Sequence, residues 1–207
     1  MEKYKNDFIG FCKWAFPEYC NDFTEKRKKL ALKMQHAVLY KAYKGFEENR
    51  GCGKTTLCKA LAIWAIYYNH LHYITIFAYN DYWAESISKS ICSMIIHSEL
   101  GNYLGYNLKL PGNGTYFVEE KCICIFGNAI QCLGLNSSKK GLIFNIDHKG
   151  TTETIRPDFF IMDDCLSINH GEVEYKKYQS ILCSDIMALG SHENNPLPGV
   201  IIYTKNL

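Results

Sequence analysis

Apolar and polar residues recur along this chain with two different periods, and the two periods mark out helices and strands in turn. Tyr82 to His97 carries Ile87, Ile91, Met94 and Ile95 at helical spacing. Tyr73-Ile74-Thr75-Ile76-Phe77-Ala78 is a β-branched and aromatic run, which predicts a strand. Leu57 to Tyr68 lacks Gly and Pro and is apolar nearly all round, which predicts a helix buried against a sheet. Phe159-Phe160-Ile161-Met162, bounded by Asp158 and Asp163-Asp164, has the pattern of a buried parallel strand. Residues 4–40 read as mainly helical with a break at Pro17. Residues 101–114 hold Gly101, Gly105, Pro111, Gly112 and Gly114 and predict a loop. Val118 to Phe126 and Ala129 to Leu135, joined at Gly127-Asn128, predict a hairpin. Residues 136–155 are polar, with a short strand at Leu142-Ile143-Phe144. Glu172 to Leu189 reads as a helix and Val200 to Tyr203 as a strand. Strands alternating with helices predict an α/β fold with a mostly parallel sheet flanked by helices.

Composition narrows this picture. With 207 residues, 47% of them hydrophobic, the chain can bury a full core in one globular domain. A net charge of +2 gives no whole-chain signature of nucleic-acid binding. The local run Lys26-Arg27-Lys28-Lys29 reads as a solvated helix face, with a DNA contact as the alternative. Gln35-His36 reads as a surface polar pair, with an adenine contact as the alternative. None of the ten cysteines shows the two-residue pair spacing of a zinc ribbon. Cys122 and Cys124 would share one strand face, and Cys52 and Cys58 read as small buried residues. Without a secretory signal the thiols are expected to be reduced, in a cytoplasmic setting. No apolar run reaches the length of a membrane span.

The candidate chemistry lies just before the apolar helix, in Glu48-Asn49-Arg50-Gly51-Cys52-Gly53-Lys54-Thr55-Thr56. A phosphate-binding P-loop reads Gly, four residues, Gly-Lys-Ser/Thr. Gly53-Lys54-Thr55 supplies the second half, while Glu48 stands where the first glycine is expected. Glycines at 51 and 53 permit the backbone angles of an anion-binding nest. Cys52 and Thr56 complete the loop. Lys54 would reach the β- and γ-phosphates of ATP, and the Thr55 hydroxyl would hold Mg²⁺. The preceding strand would lie in residues 41–47. Asp163, ending the apolar strand, would order the metal, and Asp164 would orient the attacking water. The bland alternatives are a Gly-rich turn before a helix and a buried strand with a solvated acidic turn.

Taken in order, these residues resemble the ATPase domain of large terminase subunits, the DNA-packaging motors of tailed bacteriophages. Arg50-Gly51-Cys52-Gly53-Lys54-Thr55-Thr56 resembles that family's variant P-loop, which carries an arginine and often breaks the first-glycine rule. Arg156-Pro157-Asp158 is similar to its lead-in to the acidic strand, and Asp163-Asp164 to its double-acid ending. Val200-Ile201-Ile202-Tyr203-Thr204 resembles its strand ending in a coupling threonine. The resemblance covers roughly residues 30–207. It implies a P-loop NTPase fold, Mg²⁺-dependent ATP hydrolysis and Arg50 acting in cis on the γ-phosphate, with Thr204 coupling hydrolysis to movement. It also implies double-stranded DNA, a portal protein and a small terminase subunit as partners, a homo-oligomeric ring, and the bacterial host cytoplasm.

The expected organisation is a helical lead-in over residues 1–40 and an ATPase core over 41–207. The chain ends three residues past Thr204 with no nuclease-like acidic cluster. A core truncated at its C-terminal end and lacking the nuclease domain is therefore expected. Two other readings remain open: a helicase-like or transposition-related ATPase, and a non-catalytic nucleotide-binding remnant.

Overall fold

The computed structural model describes residues 2–20, 22–104, 118–119, 122–125, 127–139, 142–148, 151–165, 172–189 and 197–204. Its N-terminal region is helical, with α1 (Phe8–Ala15), α2 (Pro17–Cys20) and α3 (Glu25–Leu39). Asp7 caps α1, its side chain accepting from the Gly10 amide, and Thr24 caps α3 by accepting from Arg27 N. Pro17 does mark the break, because it opens α2 at the first helical position, where its missing N–H costs nothing. Strand β1 (Tyr43–Glu48) then leads into α4 (Lys54–Tyr67), and β2 (Tyr73–Ala78) into α5 (Asp81–Ile96).

Helix α6 (Glu99–Leu104) follows, which corrects the loop expected from residue 101. Gly101 serves close packing of that helix against the end of α5, since a Cβ there would meet Ile95 O at 2.2 Å. The rest of the expected loop, 105–114, lies outside the described residues. The first hairpin strand also differs from expectation. It divides into β3 (Val118–Glu119) and β4 (Cys122–Ile125), with Gly127 at φ 78° turning the chain into β5 (Asn128–Gly134). The strand expected at 142–144 starts instead at Phe144. There β6 (Phe144–His148) pairs antiparallel with β7 (Thr151–Ile155) in a separate two-stranded sheet. Beyond β8 (Phe159–Asp163), α7 (Glu172–Ser180) runs on through a π-helical turn, Ile181–Ile186, and a 3₁₀ turn to Leu189. Strand β9 (Gly199–Thr204) closes the described chain.

The main sheet has seven strands in the order β1-β9-β8-β2-β5-β4-β3. The strands from β1 to β5 in that order pair in parallel, and β4 and β3 extend the sheet antiparallel. The chain is thus α/β, with a mostly parallel sheet flanked by helices. Alternate strand residues face opposite sides. Phe159, Ile161, Val200 and Ile202 join one core with α1, α3, α4 and α5. Phe160, Met162 and Ile201 join a second core with Tyr178, Leu182 and Ile186.

The start of β8 is tied to the start of β2. The Asp158 carboxylate accepts from the amides of His72, at 2.8 Å, and Tyr73, at 3.0 Å. The acid of the Arg156-Pro157-Asp158 lead-in is therefore an anchor at the far end of the sheet from Asp163. Gln35 is likewise structural. It accepts from the Phe8 amide and donates to Asn6 O, each at 2.9 Å, so the expected surface pair is split between this tie and His36, stacked on Tyr40. Among the described residues no helix is long and apolar enough to cross a membrane.

Candidate functional site

Five residues, 49–53, join β1 to α4, and two of them take backbone angles that L side chains rarely adopt. Gly51 has φ 80° and Gly53 φ 79°. Gly53 is also the N-cap of α4, in the left-handed region and without a side-chain cap. The first helical bond from it runs from Leu57 N–H to Gly53 C=O at 3.0 Å. The amides of Lys54, Thr55 and Thr56 therefore stand at the open, positive end of the helix.

Lys54 is buried, at 6% exposure. Its ammonium turns back on the loop and donates to Asn49 O at 3.0 Å and Glu48 O at 3.4 Å. A buried ammonium satisfied only by neutral carbonyls keeps its full charge available to an anion. Arg50 is exposed and Cys52 half-buried, less covered than the sequence implied. Thr55 is exposed on the first turn of α4 and Thr56 half-buried beside it.

Asp163 ends β8 beneath that turn and is also only 6% exposed. Alternation along β8 puts Phe159, Ile161 and Asp163 on the α4 side. The Thr55 side chain stands close enough to the Asp163 carboxylate to favour its charged form. One turn on, the Cys58 thiol lies 3.9 Å from Asp163 Oδ1. Burial pushes the Asp163 carboxyl above its ordinary pKa. The Thr55 side chain and the nearby Lys59 and Lys54 charges pull it down, while Asp164 pushes it up. Cys58, completely enclosed, is pushed well up by burial and then by the Asp163 charge. Lys59, shifted down by burial, donates to Ser90 Oγ at 2.7 Å.

Asp164 is exposed and adopts φ 51°, in the left-handed region for a residue that is not glycine. Its amide still donates to Ile202 O at 2.9 Å, so the chain kinks immediately after the ladder ends. Such strained positions cluster at functional sites. Strand β9 lies between β1 and β8, and its last residue, Thr204, is the Cα partner of Glu48. Asp163 is the Cα partner of Ile202, two residues earlier on the same strand.

The fold thus brings loop 48–56, Asp163-Asp164 and the end of β9 to one edge of the sheet. Sequence spacing missed Cys58 as a neighbour of Asp163. The signal was present, because positions 55 and 58 are one helical turn apart. It also missed Lys26, whose Nζ lies 3.0 Å from Glu48 Oε2. A buried carboxylate beside a hydroxyl, facing a buried lysine under an open helix end, fits a divalent cation bound together with a phosphate chain. No protein-family model and no curated protein matches the sequence.

Proposed function

We propose that this chain is the ATP-binding and ATP-hydrolysing core of a DNA-packaging motor of the large-terminase type, built as a P-loop NTPase. The observation that carries the reading is the adjacency β1-β9-β8. It sets the Gly-Lys-Thr loop, a strand ending in threonine and a strand ending in Asp163, with Asp164 just beyond it, side by side, in the register Glu48↔Thr204 and Asp163↔Ile202.

In this reading the backbone amides from Gly51 to Thr56 cradle the phosphates, with Cys52 contributing only its amide. Lys54 exchanges its two carbonyl acceptors for β- and γ-phosphate oxygens. Thr55 and Asp163, close neighbours at the start of α4 and the end of β8, would hold Mg²⁺, which when bound neutralises the charge between the β- and γ-phosphates. Asp164, held outward by its left-handed backbone, orients water for in-line attack. Arg50, exposed at the loop tip, is free to fold over the γ-phosphate with paired hydrogen bonds. Thr204, next to the loop strand, transmits the hydrolysis state to the loops beyond the sheet. Double-stranded DNA as cargo, the portal protein and small terminase subunit as partners, and a homo-oligomeric ring belong to the same proposal.

The test is Lys54→Ala. It is expected to abolish Mg²⁺-dependent ATP hydrolysis, and retained turnover would sink the assignment. Stimulation of the wild-type rate by a procapsid portal would support a packaging motor, whereas duplex unwinding would move the chain to the helicase-like ATPases.

A further inference from the structure

We infer that helix α3 is part of the nucleotide site: Lys26 neutralises Glu48, and Arg27 braces Gly53, so that both residues position the loop for its anionic ligand. The inference rests on the phosphate-loop reading above and extends it to a helix that carries none of the motif.

Glu48 presents the first difficulty. A carboxylate at the entrance of a loop that receives a triphosphate repels its own ligand. Its side chain is 15% exposed, and its Oε2 lies 3.0 Å from Lys26 Nζ. The pair is an ion pair rather than an aligned hydrogen bond, and it joins the first turn of α3 to the end of β1. The charge that the loop cannot tolerate is thus matched from outside the loop.

Arg27 meets the other end of the loop. Its guanidinium lies over the Phe23 ring, 5.0 Å from the centroid. Nη1 donates to Asp22 O at 2.9 Å, and Nη2 to Tyr19 O at 3.2 Å. With two edges of the fork fixed, its flat face lies against the loop. The guanidinium carbon and Nη2 come within 3.2 Å, and Nε within 3.3 Å, of where a Cβ on Gly53 would stand. Nε is buried and has no hydrogen-bond partner among the described residues. A rigid cation therefore closes the space over the left-handed residue that precedes Lys54. It restricts Gly53 and adds positive potential where phosphate charge arrives.

Lys26 is exposed, as expected of a solvated face, and still reaches Glu48, while Arg27 is half-buried against the loop. Lys28, by contrast, pairs along its own helix with Glu25. Neither Lys26 nor Arg27 need touch the ligand, since each acts through a loop residue. They are positioning residues, and their loss should raise KM for Mg²⁺-ATP more than it lowers kcat.

The experiment titrates the full chain with Mg²⁺-ATP by calorimetry and measures steady-state turnover, with Lys54→Ala as the inactive reference. Lys26→Ala is expected to weaken binding about fivefold, the effect of one uncompensated charge at contact distance in water-like surroundings. Adding Glu48→Gln to Lys26→Ala is expected to restore affinity to within about twofold of wild type. Arg27→Ala is expected to weaken binding about tenfold. Arg27→Lys should not rescue it, because an ammonium cannot keep the planar fork. If Lys26→Ala and Arg27→Lys bind like wild type while Lys54→Ala does not bind, the inference is overturned and the reading of the loop stands. Failure of Glu48→Gln to rescue Lys26→Ala overturns the charge argument. A wild-type chain that does not bind Mg²⁺-ATP overturns both. Should Arg27→Ala not fold, Lys26→Ala and Arg27→Lys still decide the matter.

Discussion

Asp163 shows how a candidate site residue can cost stability. Its carboxyl is buried and its pKa lies above the ordinary aspartate value of 3.8, so the folded state holds the proton more tightly than the unfolded chain does. The sign follows from that difference. Stability falls as pH rises from the ordinary value through the folded one, and above both it stays lower. In metal-free buffer at neutral pH, Asp163→Asn should therefore melt higher than wild type. The expected gain is roughly 2–4 °C, what about 1 kcal/mol amounts to in a chain of this size. Asparagine has nearly the same shape as aspartate, so the packing is kept while the charge is removed. Thermal melts across pH check this: the gap should close as pH falls toward 3.8, and equal melting at neutral pH would refute it. At this scale the candidate site was well marked in the sequence where residue type alone suggests the chemistry, as in Gly53-Lys54-Thr55. It was poorly marked where a partner arrives from another element, as Lys26 does at Glu48.

Helix α4 connects the loop to the core, and its packing holds the loop's base in place. Trp64 is fully buried, tilts against Phe8 at 5.4 Å and donates from Nε1 to Tyr4 O at 3.0 Å. Trp64→Ala should cost about 3–5 kcal/mol, read as a lower midpoint in urea denaturation; an unchanged midpoint would mean that the N-terminal helices pack only loosely. Elements were readable from the sequence in proportion to how local their determinants are. Strand β2 lies over 73–78, as its composition predicts, because it is buried on both faces and needs no polar position. Strand β1 was faint for the opposite reason: it is an edge strand with Tyr43, Lys44 and Gly45 exposed, and only Phe46 inward. Strand β7 escaped notice because Thr151, Thr152, Glu153 and Thr154 carry no apolar alternation, and its pairing with β6 alone defines it. Helix α6 was hidden by Gly101, whose job is close approach to Ile95 O, not a turn.

Across the whole molecule, the sheet separates two cores, and the candidate site lies at the edge where both end. Phe8, Phe11 and Met34 belong to the same hydrophobic cluster as Ile74 and Ile161, so the N-terminal helices and the sheet share one core. Ligand binding at the edge should therefore stabilise the chain as a unit. Mg²⁺-ATP at about a hundred times its Kd is expected to add about 2.7 kcal/mol, or about 5–10 °C in melting temperature. Scanning calorimetry would show this as one shifted transition; no shift for the wild type would count against nucleotide binding. The central position of β9 has a consequence of another kind, for how such a sequence can change over generations. It is hydrogen-bonded on both sides, to β1 and to β8. Inserting or deleting one residue within 199–204 would exchange Val200 and Ile202 with their neighbours between the two cores. It would also move the Glu48 and Asp163 ends out of step. Relatives of this chain should therefore vary in length before Leu197, in the stretch that leads into the strand, and tolerate no gain or loss inside β9 itself.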